Sequence, residues 1–389
     1  MSRYTFISIG ILVIVLICVM WGYLFLYGAP KKPREVFSNL GFFPTQETGE
    51  VRTVTGTTPI PKDATRLSLS NGKLEQITTR AVAGFTFLED APEVLRYVER
   101  GTGHMFEIDF TAGLERQVSL TTIPQIVAAT FSQNGERVAL TSNEGYVTKT
   151  SVGTLIDGDD SLRLITLRDG AEDIHFTDRT TVTYTVTNTQ KTVGYSRNLD
   201  TLTEKVLFEV PLPDATTVWT GEVGTVHPRP TKYFEGALYK VNGSSLAPLT
   251  DSFLGLSGFM VNETPVYSYV EGSTYRGGAK TGSGHTEQGI ILIKEKCVVD
   301  TETQNELICA APLTATADFI ESWYKGTLRS EDFLWRTDLE TGSAELIEDL
   351  EELAGRAIDV DSITANKTSS RLLLRNKIDD TLWIYQVKE

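Results

Sequence analysis

Phe106-Glu-Ile-Asp-Phe-Thr-Ala-Gly113 returns later in the chain as Trp335-Arg-Thr-Asp-Leu-Glu-Thr-Gly342, with the aromatic, the Asp and the Gly at the same offsets. The opening four residues recur as Tyr195-Ser-Arg-Asn198, Tyr239-Lys-Val-Asn242 and Trp383-Ile-Tyr-Gln386, and more weakly as Leu164-Ile-Thr-Leu167 and Ile291-Leu-Ile-Lys294. In a strand the first and third residues of such a run share one face, and an Asp or Asn in fourth place starts a turn. The run therefore reads as the third strand of a repeating unit. A second landmark, a small or apolar stretch, precedes each copy and ends near Phe87, Phe131, Phe176, Trp219, Val261, Ile320 and Ile363, at gaps of 44, 45, 43, 42, 59 and 43 residues. Both series count seven. Residues 64–389 shared among seven units give about 47 each, the size of a four-stranded propeller blade. Only the acidic stretch around Glu345–Leu353 shows a helical period; the rest is short β-rich runs broken by turn residues.

Three local readings follow from this register. Phe131-Ser-Gln-Asn-Gly-Glu-Arg-Val-Ala-Leu140 is a hairpin turning at Asn134-Gly135. The gap of 59 places an insertion in unit five, over the Gly- and Ser-rich stretch Gly272–Gly289; this is expected to be a flexible excursion, with Tyr275, Arg276, Lys280 and His285 as a candidate binding loop. The chain stops directly after the last third-strand motif, so the seventh unit lacks an outer strand. Lys73–Thr78, an orphan run ahead of unit one, is expected to supply it and close the ring without a covalent link.

Phe6–Leu26 carries no formal charge over 21 residues. At about 1.5 Å per residue that run spans roughly 30 Å, a hydrocarbon core. The expected organisation is a short N-terminal tail (1–5), a transmembrane helix (6–27), a Pro/Thr-rich tether (28–63) and the repeat domain (64–389). A cleaved signal peptide is the alternative, but its apolar core is normally shorter and no small-residue cleavage site follows here. Lys31, Lys32 and Arg34 after the span, against Arg3 before it, would by themselves leave the C-terminal part in the cytoplasm. The usual topology of a single N-terminal anchor, and the cysteines considered next, favour the extracytoplasmic side. Within the tether, Leu40-Gly41-Phe42-Phe43 is an apolar patch suited to docking on the domain.

The chain has 36 Lys and Arg against 51 Asp and Glu, a net charge of −15, and no concentrated basic stripe, so nucleic acid is not an expected partner. Of the three cysteines, Cys18 belongs to the apolar span, whereas Cys297 and Cys309 flank an evident hairpin. With the turn centred on Thr303, facing residues have a constant index sum, which sets Val298 against Ile308, Val299 against Leu307 and Cys297 against Cys309. Facing side chains of an antiparallel pair come close enough for a disulfide, which persists only in an oxidising compartment. Two inert buried thiols are the alternative; a metal site lacks the Cys or His that would complete four ligands.

No catalytic constellation is legible. His104, His175, His227 and His285 fall in four different units, and neither a G-x-S-x-G elbow nor an H-E-x-x-H motif occurs. The inner-strand stretches near Thr86, Thr130, Thr220 and Ser257 are small and neutral, with Asp173 and Asp318 as exceptions. Asp159-Asp160 and Asp379-Asp380 read as turn formers before they read as calcium ligands.

The hairpin at Phe131–Leu140 resembles the F-S-x-D-G-x-x-[IV]-A strand pair of WD40-like, TolB-type propeller repeats, with Asn134 in place of the Asp. Residues from about 80 to the C-terminus also look like a group of membrane-anchored bacterial propeller proteins, on Lys296-Cys297, Cys309-Ala-Ala-Pro312, Trp323-Tyr-Lys-Gly326 and Asn376-Lys-Ile-Asp-Asp-Thr-Leu-Trp383. The resemblance implies an all-β fold, a seven-bladed β-propeller of four-stranded blades preceded by a transmembrane helix. It also implies a cell-envelope module that binds or organises other molecules; with no catalytic or metal-ligating constellation in the residues, the expectation is a non-catalytic module for a protein or polymer, without metal or cofactor. The alternative is a propeller hydrolase or lyase acting on glycans or peptides at the central channel, which would need carboxylates converging on the inner strands.

Overall fold

Along the strand Thr381–Gln386 the side chains alternate, as a pleat requires, but both faces are buried. Leu382 and Ile384 enter a cluster with Val82, Leu95 and Tyr97, while Trp383 and Tyr385 enter another with Leu74, Ile308 and Leu334. Sheets that stack face to face around an axis bury both sides of their middle strands, which explains why the Leu382–Tyr385 run is apolar at every position. In the computed structural model, residues 64–67 and 72–387 are described, apart from 146, 157, 158, 283 and 302. The expected tail, transmembrane helix and tether (1–5, 6–27 and 28–63) lie outside the described residues. Among the described residues no helix is long and apolar enough to cross a membrane.

The strands form a seven-bladed β-propeller, each blade a four-stranded antiparallel sheet. The innermost strands of blades one to seven are Val82–Leu88, Ile126–Phe131, Ala171–Phe176, Ala215–Thr220, Ser257–Val261, Cys297–Val299 and Val360–Ala365. In blade seven the fourth strand is Leu74–Gln76, paired Leu74 with Tyr385, Glu75 with Ile384 and Gln76 with Trp383. The ring closes as the sequence reading expects. Blade one gains a fifth strand, Ala64–Arg66, on its outer edge, which the reading did not foresee.

The motif owes its form to packing and to its turn. Phe106 stacks on Tyr97 and Tyr195 on Tyr184, each at 5.3 Å between ring centres. The guanidinium groups of Arg80 and Arg168 lie over Phe106 and Tyr195 at 4.4 and 4.6 Å, and the two inner tyrosine hydroxyls donate to Glu115 and Glu204. Asp109 Oδ1 accepts from the N–H groups of Thr111 and Ala112, and Asp338 Oδ1 from those of Glu340 and Thr341. Gly113 and Gly342 then take the left-handed conformation at φ 63° and 74°. Near the axis, blades one and two approach so closely that a Cβ on Gly84 would lie 1.9 Å from the Ala129 carbonyl oxygen.

Several assignments are corrected. Ile320 is not on an inner strand: it lies in α1 (Phe319–Tyr324), between the second and third strands of blade six. The extra length therefore belongs to blade six, and Gly272–Gly289 is no excursion but the third and fourth strands of blade five, Thr274–Thr281 and Gly284–Gln288. Leu164–Leu167 falls on the outer strand of blade two, whose third strand is Val147–Ile156, and Ile291–Lys294 leads into a 3-10 turn at Lys294–Lys296 rather than forming a strand. The helical period near Glu345–Leu353 resolves into a strand, Ala344–Asp349, and a short α2, Leu350–Ala354, capped by Asp349.

Cys297 and Cys309 are bonded, with 4.1 Å between their Cα atoms, and Val298–Ile308 and Val299–Leu307 pair as the index sum requires. The link ties the inner strand of blade six to its neighbour. The loop-entropy estimate for so short a loop is about 3 kcal/mol. Cys297→Ser is expected to lower the melting temperature in the absence of reductant and to match the wild type when reductant is present; differential scanning calorimetry under both conditions checks this.

Candidate functional site at the channel mouth

The starts of several inner strands gather acidic residues at one end of the channel. Glu172 and Asp173 come from blade three, Asp214 from the residue before the inner strand of blade four, and Glu295 from the 3-10 turn ahead of that of blade six. Glu321 and Tyr324 come from α1 and Lys325 from its C-cap, and Arg229 and Thr231 from the segment after Val223–Pro228 in blade four. Together they line a cavity of about 550 Å³. Blades three and six are separated around the ring by two others, so their side chains share one cavity only across the axis. Five carboxylates face two cations there.

The cations are already engaged. Arg229 Nε lies 2.8 Å from Asp214 and its Nη2 3.4 Å from Glu172, and Lys325 Nζ lies 2.5 Å from Glu321. The Tyr324 hydroxyl donates to Glu295 at 2.8 Å. This leaves Asp173 and Glu295 without a close cationic partner among the lining residues. Asp173 sits where the register of blade three breaks, between Glu172 and His175, on a left-handed backbone at φ 47°. Its Oδ2 accepts from the Thr217 N–H at 2.7 Å and the Thr185 hydroxyl at 3.1 Å. Burial nevertheless pushes its carboxyl up to about 6, against the pull of the Thr217 N–H and of Lys294. The same burial, with Lys294 nearby, brings His175 down to about 4, and burial lowers His227, whose Nδ1 meets the Pro228 carbonyl at 2.8 Å.

A carboxyl raised in the folded state from its ordinary 3.8 to about 6 favours folding below about pH 4, and that contribution is lost as pH rises through about 6. Two units correspond to about 3 kcal/mol, discounted here because the side chain is partly wetted. Asp173→Asn keeps an acceptor for Thr217. It is expected to stabilise the protein by about 1–2 kcal/mol at pH 8 and not at all at pH 4, as urea titrations at the two values would read.

The residues proposed as a binding loop lie elsewhere, on two outer strands of blade five. Tyr275 is buried and donates its hydroxyl to the Gly255 carbonyl at 3.0 Å. Arg276 is within 3.5 Å of Glu271 and 3.8 Å of Glu287. Lys280 faces His285 across the strand pair, and His285 places its two ring nitrogens 2.7 and 3.3 Å from the hydroxyls of Tyr267 and Tyr269. The structure does not gather these four into one site. Asp173 is on an inner strand as expected; Asp318 instead precedes α1. Among the described residues no group of three or more His, Cys, Asp and Glu is placed to hold a metal ion.

No protein-family model matches the chain, and no curated protein matches it in sequence. Solved structures match it in fold. An oligogalacturonate lyase in complex with manganese superposes with a TM-score of 0.57 at 8% identity, over 85% of this chain and 97% of that one. The β-propeller domain of the trilobed protease from Pyrococcus furiosus gives 0.52 at 9% identity, over 79% and 96%. The acylaminoacyl peptidase of Pyrococcus horikoshii gives 0.52 at 9% identity, over 80% of this chain but 52% of that enzyme. At such identities the likeness establishes the propeller fold and nothing finer.

Proposed function

We propose that the ring is a non-catalytic binding module of the cell envelope, anchored through residues 6–27, whose channel mouth receives a cationic group of a partner protein or polymer. The observation that carries this reading is the excess of carboxylates around the cavity, in a chain of net charge −15. Like charges gathered in a concave site raise the local concentration of an opposite charge and speed its arrival. The Cys297–Cys309 bond supports an oxidising, extracytoplasmic setting. An oligolysine peptide is expected to bind the full chain, to weaken steeply as salt rises, and to lose affinity in Glu295→Gln. Equal binding of oligoglutamate, or indifference to Glu295→Gln, would overturn the reading. Protease treatment of intact cells tests sidedness: the domain is expected to be cut without lysis.

A second reading, a hydrolase or lyase working at the channel, draws on Asp173. A carboxyl titrating near 6 can hold a proton close to neutrality as a general acid, while the Glu295–Tyr324 pair offers a base within the same cavity. The substrate would be neutral or amine-bearing, since polyuronates would be repelled by the same carboxylates. Turnover of neutral or aminated oligosaccharides that disappears in Asp173→Asn would favour this reading over the first.

A further inference from the structure

Tyr233 and Phe234 are the most exposed large aromatics among the described residues, at 70% and 73%. They stand at the end of the segment that carries Arg229 and Thr231 into the channel mouth. The backbone beneath them is firmly tied. The Phe234 N–H donates to the Thr231 carbonyl at 3.4 Å, its own carbonyl accepts from the Gly255 N–H at 3.2 Å, and Glu235–Gly236 pairs with Phe253–Leu254 in a two-stranded ribbon. Leu254, also exposed, lies opposite Glu235 in that ribbon. Tyr233, with the Lys232 ammonium 5.5 Å from its ring centre, and Phe234 are exposed aromatic surface on an anchored ribbon, of the kind that marks contact sites.

We propose that this crest of Tyr233 and Phe234 is the docking lip for an apolar residue that neighbours the cation in a partner protein. The inference rests on the cation-binding reading above and specifies what the partner carries besides its charge. Charge complementarity selects the occupant, because a segment drawn to the carboxylates by a Lys or Arg is brought against the crest by the same loop. Thr231 lines the cavity, and Phe234 closes an i to i+3 turn with it, so the two positions lie within about 7 Å. An extended chain covers that distance in about two residues, and side chains two apart share a face. The partner motif is therefore a Lys or Arg with a Leu or aromatic residue two positions away.

The test uses the full chain and two labelled peptides with identical lysines, one carrying Leu two positions from a Lys and the other Ser at that place, measured by fluorescence anisotropy. The leucine peptide is expected to bind about tenfold more tightly, the equivalent of one modest buried side chain. The double variant Tyr233→Ser, Phe234→Ser should erase that difference and leave the serine peptide unchanged. Equal affinity of the two peptides, or an increment that survives the double variant, overturns the crest and leaves the cation site standing. Failure of both peptides to bind the wild type removes the cation site and the crest with it. Self-association seen by sedimentation and lost in the double variant would assign the crest to a second copy of the chain, against the proposal.

Discussion

Removing Leu382–Glu389 is expected to abolish the folded ring rather than to fray one blade. The deletion takes away Leu382, Trp383, Ile384 and Tyr385, all at most 5% exposed and divided between the cores on either side of blade seven. At about 1.5–3 kcal/mol for each large buried side chain, roughly 6–12 kcal/mol is at stake, comparable with the whole stability of an ordinary domain. The backbone closure goes as well: the Ile77 N–H donates to the Leu382 carbonyl at 2.9 Å and the Gln386 N–H to the Lys73 carbonyl at 2.8 Å. Without them, Leu74–Gln76 and Arg371–Asn376 each become an open edge. Circular dichroism melts would read the result, and a truncated chain that kept a cooperative transition at the wild-type temperature would show that closure does not depend on this strand.

That closure was legible because strand pairing obeys arithmetic: a missing outer strand at one end and an orphan at the other have one economical solution. The same arithmetic sets Cys297 opposite Cys309 from the sequence alone. Periodicity failed where a helix imitated a strand. Ile320 and Trp323 are fully buried on α1, so an apolar run at roughly the right spacing looked like an inner strand. In blade two, by contrast, the third strand, Val147–Ile156, hides from the motif because Thr154 stands where an aromatic would be, three residues before Asp157, and Leu164–Leu167 on the outer strand resembles it more closely. The acidic mouth was missed for a topological reason. Glu172, Asp214 and Glu295 are far apart in sequence and individually resemble surface acids; only the ring brings them across one axis. A signal existed, since each lies within two residues of the start of an inner strand, and aligning the seven starts would have stacked them. The packing of Tyr97 on Phe106 and of Tyr184 on Tyr195 follows from strands lying side by side, and the unequal sequence separations of the two pairs hide it from a search for repeats.

Lys296→Met is expected to cost about 3–5 kcal/mol, the usual penalty for leaving buried charge without its partner. The Lys296 side chain is 1% exposed, and its Nζ donates to Asp332 Oδ2 at 2.5 Å and Asp359 Oδ1 at 3.0 Å. The other carboxylate lone pairs are taken by the Ser330 hydroxyl and N–H, the Val360 N–H and the Trp323 indole N–H. Methionine would fill the space of the lysine stem and leave two carboxylates facing each other. Burial already holds Asp332 above the usual carboxylate range even with Lys296 present; without the ammonium it rises further. The folded variant then binds a proton that the unfolded chain releases, so its stability falls as pH rises from the ordinary carboxylate value through the new one. The loss should be greatest at pH 8 and smaller at pH 5, and Lys296→Met with Asp332→Asn should recover part of it. Urea titrations at both pH values decide the matter, and a loss below about 1 kcal/mol at pH 8 would mean that the pair contributes no more than a surface ion pair does. The consequence reaches the channel mouth, because Lys296 directly follows Glu295 and Trp323 directly precedes Tyr324. The buried cluster therefore sets the wall that blade six presents to the cavity, and its loss should weaken oligolysine binding at pH 8 even under conditions where the ring stays folded.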